Sequence, residues 1–383
     1  MKKILIFCCL FFIPLNVFAV ENSDNLIKNA SSGILIDALS GKVIYEKNMH
    51  KKASVASMTK MVAQIIIMEK IEDGSIKWDD IVTVSKNAAN MGGSQIYIEE
   101  GEKITVEDLM KGISMASGND ATVQMAEVIS GSESKFVKLM NKKVKELGLK
   151  NTNFVNCTGL DDNNHYSSAY DMAIIARELI VNHPDIVNFS SLYEDYLREN
   201  TDNKFWLVNT NKLVRFYDGA DGLKTGHTDA AGYCLAATAK RNGLRLIAVV
   251  LGEKNGSIRN NETMELLDYG FNNTRFNILK NRGDVVKKIK LDKANKDIIE
   301  IVLKDNLGVV EELGEKNDYS YKIDINNIKL PIKKGEVVGN MYVYNNNNNI
   351  VSKVKLTILE DVNKLNFVNL YRNSLYSIIN GNY

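Results

Sequence analysis

A serine followed three residues later by a lysine can form an activated nucleophile. Ser57-Met58-Thr59-Lys60 offers that pair at the head of an apolar run, residues 61–68. Hydroxyl groups are poor nucleophiles at neutral pH and need an adjacent base. An ammonium drawn against an apolar wall loses solvation, so its pKa falls and the neutral amine can accept a proton. The apolar run predicts a buried helix with Ser57 at its start, where backbone N–H groups lack intrahelical partners. Alone, the pair also fits a helix-capping serine beside a surface lysine. Two further clusters follow in order, Ser117-Gly118-Asn119 and Lys224-Thr225-Gly226, and His227 adjoins the second. The first reads as a turn on its own, and the second as part of a strand.

The elements that must hold these groups are legible in outline. Residues 34–37 and 42–46 predict two strands around Ser40-Gly41. A helical middle section follows. Thr105 and Asp108 read as a cap, Ser117-Gly118-Asn119-Asp120 as a break, and Gly148 as the end of a helix lined by Phe136, Met140, Val144 and Leu147. Ser168 opens another helix, with Met172, Ile175, Ala176 and Leu179 inward. Asn242-Gly243 between apolar runs predicts a hairpin. A helix over residues 260–269, closed by Gly270, completes the section. Strands, then helices, then strands give one α/β (α+β) domain over residues 25–273. Residues 276–360 alternate lysine with apolar positions and predict a small all-β domain, with Asn345 to Asn349 as a solvated loop.

Composition excludes several functions. The chain has 383 residues and a formal charge of +1, so no basic stripe points to nucleic acid. Lys2 and Lys3 precede an apolar stretch ending at Ala19, the pattern of a secretory signal peptide over residues 1–19. Cys8 and Cys9 leave with it, and Cys157 and Cys234 are expected to stay unpaired. His50, His165, His183 and His227 show no metal-ligand spacing. Leu365, Val368, Tyr371, Leu375 and Ile378 share one face of a predicted C-terminal helix, residues 363–383. Such a helix docks on the β domain or lies in a membrane surface, and the membrane is the expectation carried forward.

Taken together, the three clusters are the motif set shared by penicillin-binding proteins and class A β-lactamases. With their flanks, Ala56 to Met61, Ala116 to Ala121 and Asp221 to Tyr233, the chain closely resembles the low-molecular-mass penicillin-binding proteins, the serine-type D-alanyl-D-alanine carboxypeptidases. Val55 departs from the proline common there. The resemblance implies that Ser57 attacks the bond between two D-alanines in the peptidoglycan stem peptide and that Lys60 takes its proton. Ser117 then relays a proton to the departing D-alanine, and Asn119 holds the substrate amide and Lys60. Lys224 and Thr225 bind the substrate carboxylate, with Arg259 assisting, and Gly226 allows close approach. Backbone N–H groups of Ser57 and His227 form the oxyanion hole. β-Lactams are expected as covalent inhibitors, no cofactor is implied, and the mature chain is expected outside the cytoplasmic membrane.

Three other readings compete. A serine β-lactamase needs a carboxylate to activate the deacylating water, and Glu178 with Asn182 has a suggestive spacing but falls inside the predicted helix from Ser168. A catalytically silent peptidoglycan-binding protein should lack Ser57, Lys60 or Lys224, and all are present. A transpeptidase needs an acceptor-amine site that the sequence does not display.

Overall fold

The computed structural model describes residues 26–365 apart from 200, 292, 293, 297, 316 and 327. The signal-peptide stretch and the apolar face from Val368 onward lie outside the described residues.

The chain opens with strands β1 (Ser32–Asp37) and β2 (Val43–Lys47), and a 3₁₀ turn, Ala56–Thr59, leads into helix α1 (Lys60–Glu72). The helix expected to begin at Ser57 therefore begins three residues later, with Ser57 in the turn ahead of it. Every residue from Lys60 to Met68 is buried, as expected of a helix apolar on all sides. Each buried Ile or Met adds roughly 1.5–3 kcal/mol, enough in sum to hold the head of Lys60 out of water.

A helical subdomain follows: β3 (Ile81–Thr83), α2 (Lys86–Ala89), β4 (Lys103–Thr105), α3 (Val106–Lys111), α4 (Asn119–Ser130), α5 (Glu133–Glu146), α6 (Ala169–Asn182) and α7 (Val187–Ser190). Thr105, Ser132 and Ser168 cap their helices by accepting from the N–H three residues on. Between α3 and α4 the chain makes a π-type turn, Gly112–Ala116. A ribbon of β5 (Glu194–Leu197) and β6 (Phe205–Val208) and the short α8 (Leu213–Phe216) lead to β7 (Ala220–Thr228), β8 (Gly232–Arg241), β9 (Leu244–Glu253) and α9 (Gly256–Asn273).

The main sheet is antiparallel in the order β2-β1-β9-β8-β7, leaving β7 at an edge. Its alternation splits the core in two. Ile34, Ile36, Ala236 and Val249 face the helical subdomain, while Leu35, Leu235, Ala237 and Val250 pack against Leu266 and Leu267 of α9. The β8–β9 turn is the expected Asn-Gly pair, both residues in the left-handed region at φ 49° and 86°. Helix α9 departs from expectation. Asn255 caps it, so it starts earlier, and Gly270 lies inside it. A Cβ at Gly270 would sit 2.5 Å from Leu246 and 2.7 Å from Leu35, so this glycine allows helix and sheet to touch rather than ending the helix.

The rest is all-β, as the alternation indicated: β10 (Thr274–Lys280), β11 (Val285–Lys290), β12 (Ile298–Leu303), β13 (Leu307–Glu312), β14 (Ser320–Ile325), β15 (Gly339–Tyr344) and β16 (Ile350–Thr357). Five of these strands form a sheet in the order β11-β12-β16-β15-β14, and β10 pairs with β13. Lys364 bridges Ala294 in extended backbone, so the described chain ends attached to this domain. Cys157 and Cys234 are both buried free thiols.

Candidate active site

Ser57 is the second residue of the 3₁₀ turn, and Val55 and Ala56 before it are fully buried. Ala56 has φ 47°, a region that a residue with a Cβ seldom occupies. Two glycines make the turn possible. Gly159 (φ 87°) lies so close that a Cβ there would collide with the Ala56 carbonyl. Gly226 of β7 leaves only 2.6 Å between an added Cβ and the Val55 carbonyl. Behind the turn, Thr59 Oγ1 is 2.7 Å from His165 Nε2. The Val155 N–H donates to Nδ1 of that ring, so Nε2 carries the hydrogen. Burial holds His165 down near a pKa of about 4, which keeps it neutral.

Lys60 opens α1 with its side chain fully buried. Its Nζ is 2.9 Å from Ser57 Oγ, 2.7 Å from Asn119 Oδ1 and 2.7 Å from the Thr158 carbonyl. Loss of solvation lowers its pKa to about 7, with Cys157 and Asp120 opposing the shift. The neighbours suit the neutral amine. Two hydrogens satisfy the acceptor-only oxygens of Asn119 and Thr158, and the lone pair is left for the serine hydroxyl. The Thr158 carbonyl is fixed by Asn156, whose Oδ1 accepts from the N–H groups of Thr158 and Gly159 at 3.2 and 2.7 Å.

Ser117 ends the π-type turn in the left-handed conformation (φ 63°), and its buried Oγ has no hydrogen-bond partner. Such an orphaned hydroxyl is costly unless another molecule completes it. Asn119 heads α4 and holds the opposite loop as well as Lys60. Its Nδ2 donates to the Gly92 carbonyl and its backbone N–H to the Ser94 carbonyl, both at 2.7 Å. Asp120 accepts from the N–H groups of Ile96 and Ile98, which pins that loop.

Edge strand β7 brings Lys224, Thr225, Gly226 and His227 along the cleft. Lys224 is fully buried, and its Nζ donates to the Thr225 carbonyl at 3.1 Å. Burial, then repulsion from Lys60 and Arg259, pushes its pKa well below the usual lysine value. Every cause acting on Lys224 disfavours its ammonium form, so an anion arriving beside it would favour that form. Thr225 Oγ1 donates to Thr210 Oγ1 at 2.8 Å. The exposed His227 ring packs on Tyr233 at a centroid distance of 4.0 Å. Arg259 lies in the first turn of α9, buried, with Nε and Nη2 donating to Asn260 Oδ1. Burial lowers its pKa too.

The structure therefore gathers Ser57, Lys60 and Asn119 by direct hydrogen bonds, buries Lys224 and Arg259 within electrostatic reach of each other, and leaves the Ser117 hydroxyl unpaired. Glu178 lies on α6, where its carboxylate accepts from Asn182 at 2.7 Å and stands 4.0 Å from His183. That is a helix-surface arrangement. Sequence reasoning missed the Thr158 carbonyl, the Gly92 to Ser94 loop, Thr210 and His165. The first two act through backbone atoms, which leave no residue-type signal. Asn156 and Gly159 around Thr158 were the available hint.

Comparison with known proteins identifies the family and the fold. The family model described as D-alanyl-D-alanine carboxypeptidase matches residues 19–255, and that for the penicillin-binding protein 5 C-terminal domain matches residues 277–364. The D-alanyl-D-alanine carboxypeptidase DacF of Bacillus subtilis is 45% identical over 357 residues, 93% of this chain and 91% of the relative. Penicillin-binding protein 5 of Haemophilus influenzae superposes with a TM-score of 0.66 at 31% identity, covering 88% of this chain and 98% of that structure. Penicillin-binding protein D2 of Listeria monocytogenes, solved in its ampicillin-bound form, has a TM-score of 0.57 at 30% identity and covers 63% of this chain and 97% of that structure. The chain belongs to the D-alanyl-D-alanine carboxypeptidase family, within the penicillin-binding proteins.

Proposed function

We propose that this carboxypeptidase is of the serine type, with Ser57 as nucleophile and Lys60 as the base that activates it. The supporting observation is the buried Lys60 Nζ held between Ser57 Oγ and two oxygens that can only accept. Ser57 Oγ attacks the carbonyl between the two terminal D-alanines while its proton passes to Lys60. Backbone N–H groups of Ser57 and His227 stabilise the developing oxyanion, a few kcal/mol per donor in well-studied cases. Ser117, whose hydroxyl is otherwise unpaired, carries a proton to the leaving D-alanine. Lys224, Thr225 and Arg259 receive the terminal carboxylate, and Gly226 lets the peptide lie along β7. Water then hydrolyses the acyl-enzyme. Penicillin enters the same cycle because its strained amide resembles the D-Ala-D-Ala bond. A β-lactamase reading is weakened by Glu178, which is occupied on α6. Ser57→Ala should give a folded protein that no longer takes up a fluorescent penicillin, and labelling that persists would overturn the assignment.

The proposed setting is the outer side of the cytoplasmic membrane. The amino-terminal signal pattern supports it, as does the location of a peptidoglycan substrate. No helix among the described residues is long and apolar enough to cross a membrane, so contact with the bilayer is assigned to the segment after Leu365. Lys364 is held by Ala294, so deletion of residues 366–383 leaves the described β domain whole. The truncated protein should leave the membrane fraction and keep its activity on a soluble peptide. Retention in that fraction would return the segment to a docking role.

A further inference from the structure

The loop after Cys157 meets the nucleophile's turn and its base at three points. The Thr158 carbonyl holds Lys60, and Gly159 lies against the Ala56 carbonyl. The third contact is made by Asp161, a residue the mechanism does not use. Asp161 Oδ1 accepts from Ser54 Oγ at 3.1 Å and from Thr228 Oγ1 at 2.7 Å. Ser54 stands shortly before Ser57, and Thr228 directly follows His227. One carboxylate oxygen thus joins the approach to the nucleophile to the end of β7.

Each partner is itself held. Asn156 stiffens the loop, since its Oδ1 accepts from the Thr158 and Gly159 N–H groups and its Nδ2 donates to the Leu160 carbonyl at 2.9 Å. Thr228 Oγ1 accepts from the Ala231 N–H at 3.1 Å, which braces the bend between β7 and β8. Ala53, just ahead of Ser54, exchanges two backbone hydrogen bonds with Ser167 at 2.8 and 3.0 Å. The turn and β7 already meet at Gly226, where an added Cβ would lie 2.6 Å from the Val55 carbonyl oxygen and 3.3 Å from the Met58 nitrogen. Asp161 is a side-chain link across that same seam.

On the proposed mechanism, on which this inference rests, the Ser57 and His227 N–H groups converge on one oxyanion. They belong to the two segments that Asp161 joins. A displaced donor loses much of its worth, because hydrogen bonds weaken steeply as their angle closes. We infer that Asp161 is a positioning residue for the oxyanion hole, setting the separation of its two donors through Ser54 and Thr228. The charged groups acting on Lys60 are Cys157 and Asp120, so a change at Asp161 leaves the base alone.

The test combines the rate of penicillin acylation with the infrared stretch of the ester carbonyl in the penicilloyl-enzyme. Hydrogen bonds from the oxyanion hole polarise that carbonyl and lower its frequency, whereas a merely structural role leaves it unmoved. Asp161→Ala should slow acylation about tenfold, a part of the roughly 10²–10³-fold carried by one donor, and shift the stretch to higher frequency. Asp161→Asn keeps the accepting Oδ1 and should bring both readings back near wild type. Thr228→Val should slow acylation and shift the stretch in the same direction, and it stands in should Asp161→Ala fail to fold. Adding Asp161→Ala to Thr228→Val should cost nothing further, because the link is already gone. A wild-type stretch in Asp161→Ala and Thr228→Val would overturn the inference even if acylation slows, and so would losses that add in the double variant. Both results leave the Ser57 chemistry intact. A wild-type protein that penicillin does not acylate at all would overturn the serine reading as well.

Discussion

Lys60 and Lys224 in the cleft and Lys288 and Lys333 in the C-terminal domain are the same residue type in two solvents. The cleft pair is fully buried, and desolvation dominates the lowered pKa of each. The C-terminal pair is mostly exposed, at 64% and 69% of the side chain, and meets carboxylates, Glu300 at 2.7 Å and Asp361 at 3.3 Å. An ammonium in water beside a carboxylate makes a screened ion pair that contributes little. An ammonium in an apolar wall beside a hydroxyl and two carbonyl oxygens has its pKa lowered to about 7, which is what the base role proposed for Lys60 requires. Burial rather than residue type separates these lysines, supplied for Lys60 at the head of α1 and for Lys224 along β7.

The strongest way to break this comparison is to keep the charge and remove the titration. Lys60→Arg places a guanidinium, which does not deprotonate, in the same wall. Penicillin acylation should fall by roughly 10²–10⁴-fold, the usual share of a general base. A loss under about tenfold would mean the proton goes elsewhere. The same idea sets a pH profile. The Lys60 pKa of about 7 lies below the ordinary lysine value, so the amine is neutral above pH 7 and gains its proton below it. Acylation should reach a plateau on the alkaline side and fall about tenfold per pH unit on the acid side. A flat profile between pH 5.5 and 8.5 would remove Lys60 from the base role.

Lys224 and Arg259 test the other half of the cleft, the proposed site of the terminal carboxylate. Arg259→Ala should lower kcat/KM for a peptide with a free terminal carboxylate by about tenfold to a hundredfold, the worth of one charge-assisted hydrogen bond felt in the transition state. An otherwise identical C-terminal amide should lose far less, because it never had the charge. Equal losses would make Arg259 structural.

What was legible in the sequence follows the same division. Ser57, Lys60, Ser117, Asn119 and Lys224 could be singled out because their chemistry resides in side chains at fixed spacing. The β8–β9 hairpin was legible because Asn242-Gly243 permits only a few backbone shapes. The Thr158 carbonyl was not, since every residue carries a carbonyl and only the fold aims this one. Gly270 was read as a helix end because glycine serves both termination and close packing, and the contacts with Leu35 and Leu246 that decide between them are long-range. The β5–β6 ribbon escaped because its strands are four residues each and the turn between them has no Asn-Gly signature.

A smaller effect is expected where burial acts on an acid. Glu253 ends β9 with both carboxylate oxygens buried and without a partner, facing Glu262 of α9. Glu262 is already occupied by the N–H groups of Lys28, Asn29 and Ala30. Burial first, then Glu262, raises the Glu253 pKa to about 8, with Lys47 pulling the other way. The folded protein therefore keeps a proton that the unfolded chain loses near pH 4.5, and the benefit fades as pH rises through 8. Glu253→Gln donates to Glu262 without titrating. It should melt at a similar temperature to wild type at pH 5 and a few degrees higher at pH 9, given about 2–4 °C per kcal/mol for a chain of this class. Parallel curves would show that Glu253 is ionised in the fold.

The smallest effect sharpens the comparison from its quiet side. Lys288 faces solvent on β11, and its partner Glu300 on β12 is about half exposed. Lys288→Ala removes a surface ion pair, Lys288 Nζ to Glu300 at 2.7 Å. In a high dielectric, with two long side chains to restrain, such a pair contributes less than about 1 kcal/mol and less still in salt. The expected outcome is an unchanged penicillin acylation rate and a melting shift that shrinks between 50 mM and 500 mM salt. A shift that persists at high salt would show that Lys288 packs rather than pairs. A change in acylation would join the two domains electrostatically, against the view that burial alone separates them.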